Sequence, residues 1–268
     1  MNVYQTWISY ILPDDFENYH KSWLYAFNTK LYNDTDVYAT INDYCLTTDP
    51  QLCKHIYRLS TIQLIDVWRY IIIYQNGGLY SDIDIGINNP YLLYKKMKQC
   101  NLVIFKESPC FFYEPLKFIL HCLLYFSGIK KHPRFNQYRQ SIFFAKKHHP
   151  LLQSIIYSIT HSDIEYYHTL YSEPYLTLEF TGPGLFTDKV LSFLNNDDTC
   201  IVQYNEGLHI LDYHHYGTWK SSHNNESKNI IITLTIINVF LCFSILLKFF
   251  WCRIKNRFIS FQNLNNFI

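Results

Sequence analysis

Apolar side chains recur at helical spacing from residue 61 to residue 74, and the run stops at Gly77-Gly78. Ser60 or Thr61 suits the N-cap of that helix, and the glycine pair supplies a left-handed close. Residues 79–85 then carry strand character. Alternation predicts Tyr80, Asp82 and Asp84 on one side and Leu79, Ser81, Ile83 and Ile85 on the other. Residues 3–8 read as an opening strand. Residues 13–32 read as a helix with Asp14 near its start and Trp23, Leu24 and Phe27 at helical spacing. Residues 36–41 read as a second short strand, with Asn42-Asp43 as a turn. Further on, 151–159 reads as a helix and 181–184 as a turn leading into a helix that ends near 194. Residues 200–204 and 207–211 read as late strands. Strands alternating with helices predict an α/β fold around a mainly parallel sheet. His148-His149-Pro150 reads as a helix start, because adjacent side chains point apart and do not converge on one metal.

A different pattern begins at residue 229. Residues 229–247 contain no Asp, Glu, Lys or Arg and consist mostly of Ile, Leu, Val and Phe. About 20 helical residues cross a bilayer core. Lys248 interrupts the run, Phe249, Phe250 and Trp251 continue it, and both Lys and Trp suit the interface. The chain thus divides into a main α/β domain (1–221), one C-terminal transmembrane helix (229–251) and a short basic tail (252–268). Lys248, Arg253, Lys255 and Arg257 follow the span, whereas Lys220 and Lys228 precede it. The positive-inside rule puts the tail in the cytosol and the domain across the membrane. Sequons at Asn33 and Asn225 agree. The first strand begins almost directly after Met1 with no apolar leader, so either the start is truncated or the protein is tail-anchored with its domain in the cytosol. Both topologies stay open at this stage.

Hydrophobic residues make up 49 % of the 268, enough for one large core. The formal net charge of +1 gives no electrostatic reason to expect a nucleic-acid partner. None of the eight cysteines forms a C-x-x-C pair, which argues against a zinc site. Disulfides and buried free thiols both remain open.

The chemistry concentrates in residues 60–85. Asp66 and Arg69 are three apart and share a helical face. Asp82 and Asp84 are same-side carboxylates at the end of a buried strand, where they repel and resist desolvation. A divalent cation offsets that cost, and oxygen ligands of this kind suit Mn²⁺ or Mg²⁺ bound together with phosphate oxygens.

The segment Ile65-Asp66-Val67-Trp68-Arg69-Tyr70, followed by Gly77-Gly78-Leu79-Tyr80-Ser81-Asp82-Ile83-Asp84, resembles the D-x-D sugar-binding region of glycosyltransferase family 32. That family includes yeast-type Golgi mannosyltransferases and mannosyl-inositol-phosphoceramide synthases. Ile65 stands where the family usually has a small residue. Gln5-Thr6-Trp7 resembles the family's opening H-Q-T-W strand. Phe180-Thr181-Gly182-Pro183-Gly184 resembles the T-G-P turn of the inositol-phosphoceramide branch. His214-His215-Tyr216-Gly217-Thr218-Trp219 resembles the closing H-x-x-(G)-S-W segment, with Thr218 in place of Ser.

The resemblance implies a GT-A-type nucleotide-sugar-binding fold and a retaining transferase, with no carboxylate nucleophile evident. It implies that Asp82 and Asp84 are catalytic and hold Mn²⁺ or Mg²⁺, with a nitrogen ligand from His214 or His215. Asp66 and Arg69 would bind the donor sugar, Trp7 the nucleotide base, and Thr218 and Trp219 the diphosphate. The implied donor is a nucleotide sugar, GDP-mannose ahead of a UDP-hexose. The implied acceptor is a membrane-associated lipid or a glycan, and the implied location is a Golgi- or ER-type endomembrane. Two alternatives stand beside this: a UDP-sugar transferase acting on glycan or protein, and a non-catalytic membrane protein that keeps the fold for binding.

Overall fold

The computed structural model describes residues 1–107, 137–171, 175–194 and 198–213, all within the unit Met1–Tyr216. The apolar run 229–251, the tail 252–268, the Asn225 sequon, His214, His215, Thr218 and Trp219 lie outside the described residues. So do Cys110, Cys122, Cys242 and Cys252. Among the described residues no helix is long and apolar enough to cross a membrane.

The chain opens with β1 (Asn2–Thr6), α1 (Asp14–Ala26), β2 (Asn28–Tyr32), α2 (Asp34–Thr47) and α3 (Leu52–Ile56). The central segment is α4 (Thr61–Asn76), β3 (Gly78–Ser81), β4 (Ile85–Ile87), α5 (Pro90–Gln99) and β5 (Leu102–Lys106). Then come β6 (Tyr138–Ala145), α6 (Pro150–His161), α7 (Ile164–Leu170), α8 (Tyr175–Phe180) and α9 (Pro183–Phe193). The described part closes with β7 (Thr199–Val202), α10 (Tyr204–Ile210) and β8 (Leu211–Tyr213).

The main sheet has the order β2-β1-β3-β6-β5-β7, and β4 pairs with β8 in a two-stranded sheet. Neighbouring pairs are parallel except at β6, which runs antiparallel to both β3 and β5. The expected mainly parallel α/β sheet is therefore present, with one reversed strand. Strand alternation divides the core. Tyr4, Tyr80, Ile104 and Phe143 pack against α4, α6 and α9 on one face. Val3, Leu79, Val103 and Phe144 pack against Trp23 of α1 and Leu93 of α5 on the other.

Three expected elements take another form. The single helix expected over 13–32 stops at Ala26, Phe27 is extended, and β2 pairs in register with β1 from Asn28 to Tyr32. An edge strand buried on neither face shows no alternation for a sequence reading to find. Residues 36–41 lie inside α2, so neither a strand nor a turn at Asn42-Asp43 forms there. Asn33 and Asp36 make a reciprocal capping box, and Val37, Ile41, Tyr44 and Cys45 form the buried face at helical spacing. The Asn33 sequon is thus also a helix cap. Residues 207–210 are helical, and only Leu211–Tyr213 form a strand.

The hinge of the molecule is the step from α4 to β3. Ser60 and Gln63 form a second capping box at the start of α4. Gly77 (φ 66) and Gly78 (φ 121) end it in conformations that favour glycine. A Cβ at Gly77 would sit 2.7 Å from Lys147 N, and one at Gly78 would sit 2.7 Å from Asn2 O. The two glycines let α4 turn directly into a central strand.

Candidate active site

The strands β1 and β3 are parallel, with Tyr4 level with Tyr80, so their C-terminal ends share one edge of the sheet. In α/β folds that edge is where ligands bind. It carries Thr6-Trp7 from β1 and Asp82-Ile83-Asp84 from β3. The strand expected over 79–85 is interrupted here. Asp82 N–H still donates to Ser141 O (2.8 Å), continuing the ladder with β6. Ile85 N–H then returns to Asp82 O (3.2 Å), so Asp82–Asp84 is a turn before β4 begins. Both aspartates are half-exposed in an otherwise buried segment.

A polar network behind the turn holds it. Arg69 on α4 is 7 % exposed. Its Nη2 lies 3.1 Å from Asp66 Oδ1, and its Nη1 lies 3.3 Å from Asp82 Oδ1. Its guanidinium also sits over the Tyr80 ring, 4.5 Å from the centre. The Tyr80 hydroxyl donates to Asp82 Oδ1. Asp66 is 4 % exposed and accepts from Gln140 Nε2 and from Thr181 Oγ1, each at 2.9 Å. Tyr70 donates to Thr181 O at 2.9 Å. The network joins four elements: α4, β3, β6 and the turn between α8 and α9.

The electrostatics follow from burial. Desolvation pushes Asp66 up to about 6, against the pull of Arg69 and the hydrogen bonds from Thr181 and Gln140. Burial also opposes the charge on Arg69, but Tyr80, Asp82 and Asp66 outweigh it and keep the guanidinium protonated. Burial raises the Tyr80 hydroxyl well above its usual range, so it remains a donor to Asp82.

The residues fit a divalent cation. Among the described residues, every contact of the Asp82 carboxylate falls on Oδ1, which leaves Oδ2 for a ligand. Among the described residues no cluster of three His, Cys, Asp or Glu side chains converges. The described protein thus offers a pair of carboxylates, a donor set suited to Mg²⁺ or Mn²⁺ that also binds water and phosphate oxygens. The expected histidine ligand, His214 or His215, lies outside the described residues, as do the expected diphosphate contacts Thr218 and Trp219.

The structure therefore brings Asp66, Arg69 and Asp82 into one network and puts Asp84 in the same turn. Trp7 is at the same sheet edge, half-buried, with its ring edge-on to Phe16 at 4.8 Å. Gln5 links β1 to the turn: its Nε2 donates weakly to Asp82 O (3.4 Å), and its Oε1 is 2.7 Å from His20 Nδ1. Gln140 was not anticipated. Its only sequence signal is a polar Arg139-Gln140-Ser141 interruption in a strand that is otherwise apolar.

Residues 13–103 match the family model described as "Glycosyltransferase sugar-binding region containing DXD motif". Residues 13–103 are thus similar to a glycosyltransferase sugar-binding region. The chain is also 25 % identical over 222 residues to the "Initiation-specific alpha-1,6-mannosyltransferase" of Candida albicans, covering 73 % of this chain. It spans only about half (53 %) of that relative's length. Among solved structures, the PaToxG glycosyltransferase overlaps with TM-score 0.44 at 12 % identity, covering 72 % of this chain and 69 % of that one. The ligand-free glycosyltransferase domain of the YGT toxin overlaps with TM-score 0.35 at 9 % identity, covering 69 % and 54 %. Neither overlap is close enough to carry an argument. The sugar-binding region spans α1 to β5 and includes Asp66, Arg69, Asp82 and Asp84, but not Gln140 or Thr181, which complete the network from outside it.

Proposed function

We propose that the chain is a metal-dependent, retaining hexosyltransferase that moves mannose from GDP-mannose to a membrane-associated acceptor. One observation carries the reading. The Asp82 carboxylate is held through Oδ1 by Tyr80 and Arg69, with no partner on Oδ2 among the described residues, in a half-exposed turn shared with Asp84. An aspartate held on one oxygen and open on the other is oriented for a ligand before the ligand arrives. A Mn²⁺ or Mg²⁺ ion there supplies charge stabilisation for the departing nucleoside diphosphate.

The remaining roles belong to this chain's side chains. Asp82 and Asp84 hold the ion, and Trp7 offers a face to the nucleotide base. Arg69 reaches the donor sugar. Asp66 sets the position of Arg69, because both Asp66 oxygens already accept hydrogen bonds inside the protein. The ligand and diphosphate roles expected of His214 or His215 and of Thr218 and Trp219 fall on residues outside those described.

Mannose is supported by the matching relative's name. A lipid acceptor resembling inositol-phosphoceramide is supported by the T-G-P turn, whose Thr181 is tied directly to Asp66. A membrane anchor is supported by the apolar run 229–251. The disulfides Cys45–Cys53 and Cys100–Cys200 support a lumenal, oxidising site in a Golgi- or ER-type compartment.

The test is turnover of GDP-mannose and of UDP-hexoses by the full chain in detergent, with Mn²⁺ present. Asp82→Asn and Asp84→Asn should each abolish turnover while leaving the fold intact, and a chelator should stop the wild type reversibly. Full activity in chelator removes the metal role. A preference for a UDP-hexose transfers the reading to the alternative donor.

A further inference from the structure

Two arginines are buried among the described residues, Arg69 and Arg139, and the site described above uses only the first. Arg139 is 5 % exposed, and its buried Nε has no hydrogen-bond partner. No carboxylate lies within ion-pair distance of it among the described residues. Among the described residues its close partner is the Tyr213 ring, whose centre is 3.9 Å from the guanidinium carbon. Glu107 acts on the same Tyr213 without pairing directly with Arg139, and a buried cation with no carboxylate in direct contact is costly, a cost that cation–π contact offsets only in part.

Its place in the fold is specific. The pairing of β5 with β6 loses register between Ile104↔Phe143 and Lys106↔Tyr138. That is two residue steps on β5 against five on β6, so the surplus lies in β6. Bulges of this kind occur beside active sites and re-aim side chains. Here Gln140 reaches Asp66 on the α4 face, while Arg139 meets Tyr213, which packs with the opposite core. Between them, Ser141 O accepts from Asp82 N–H. Tyr213 in turn pairs with Ile85, the residue that follows Asp84. One short stretch of β6 thus touches the Asp82–Asp84 turn and supports it from both faces of the sheet.

Charge balance indicates what Arg139 serves. Arg69 is shared between Asp66 and Asp82 and has little charge to spare. A dication at the turn is matched by the carboxylates of Asp82 and Asp84. A nucleoside diphosphate gains further negative charge as it leaves, and a forked cation is the side chain suited to phosphate. We infer that Arg139 contacts the diphosphate of the nucleotide donor, stabilising the leaving group from the face opposite Arg69.

This rests on the proposed transferase reading, and one experiment separates the two. Calorimetric binding of GDP and of UDP, each with Mn²⁺, is measured on the full chain in detergent for the wild type, Arg139→Gln and Arg139→Lys. Guanosine and uridine serve as controls without phosphate. Loss of one charge-assisted contact should weaken diphosphate binding about 10- to 100-fold in Arg139→Gln. The nucleoside controls should be unchanged. Arg139→Lys keeps a cation over Tyr213 but loses the fork, so it should fold and still weaken binding about tenfold. It decides the matter if the Gln variant does not fold. Diphosphate affinity within twofold of the wild type in a folded variant overturns the inference, as does an equal loss for the nucleosides. No diphosphate binding by the wild type overturns the transferase reading and this inference with it.

Discussion

Asp66→Asn separates the two opposing forces on the buried Asp66–Arg69 pair. Burial raises the Asp66 carboxyl from 3.8 to about 6. A group raised in the folded state stabilises the fold while protonated. That contribution is complete below the unfolded value of 3.8 and is lost as pH rises through about 6. At about 1.4 kcal/mol per pH unit, the loss comes to roughly 3 kcal/mol. Asn matches the protonated acid in size and has no such dependence. The variant should therefore gain on the wild type by roughly 3 kcal/mol between about pH 3.5 and pH 7.5, with most of the change between about pH 4 and pH 6. Urea unfolding of both proteins across that range measures the difference directly, and other titrating groups cancel in it. Two results would refute the reasoning. Parallel curves would mean that Asp66 does not titrate abnormally. A variant that loses ground as pH rises would mean that Arg69, Thr181 and Gln140 outweigh burial and hold the carboxyl below its ordinary value.

Removing the other partner should be worse. Arg69→Met leaves Asp66 buried without its cation and leaves Asp82 Oδ1 with Tyr80 alone, so unfolding free energy should fall by about 3–5 kcal/mol, read from denaturant midpoints. A loss under about 1 kcal/mol would give the pair the worth of a surface contact. Non-reducing peptide mapping should recover Cys45–Cys53 and Cys100–Cys200 as linked peptides. Breaking the second with Cys200→Ser should cost about 2–5 kcal/mol. Free thiols at all four positions in protein expressed through a secretory pathway would remove the argument for an oxidising compartment.

What was legible in the sequence is what is encoded within a few residues. The start of α4 is a four-residue capping box from Ser60 to Gln63, its end is a glycine pair, and Asp82 and Asp84 follow at strand spacing. Each signal is complete within a turn of helix or a few steps of strand, so each survives without knowledge of the rest of the fold. The misreading of α2 had the same kind of remedy. Val37, Tyr38, Thr40 and Ile41 have strand propensity, but Asn33 and Asp36 already form a capping box, and that local geometry prevailed.

The other half of the site had no local form. Gln140 reaches Asp66 across 74 positions, and Thr181 reaches it across 115. Nothing near residue 140 in the chain indicates which helix will lie opposite. That Gln140 and Arg139 serve opposite faces of the sheet follows only once β6 is placed between β3 and β5. The consequence is physical as well as interpretive. The D-x-D carboxylates can be written by a short motif, but their orientation depends on distant residues that lock Arg69 and Tyr80 in place. A chain could keep Asp82 and Asp84 and lose the network behind them. Its motif would stay intact while Asp82 turned freely, and affinity for the ion would fall before the fold did.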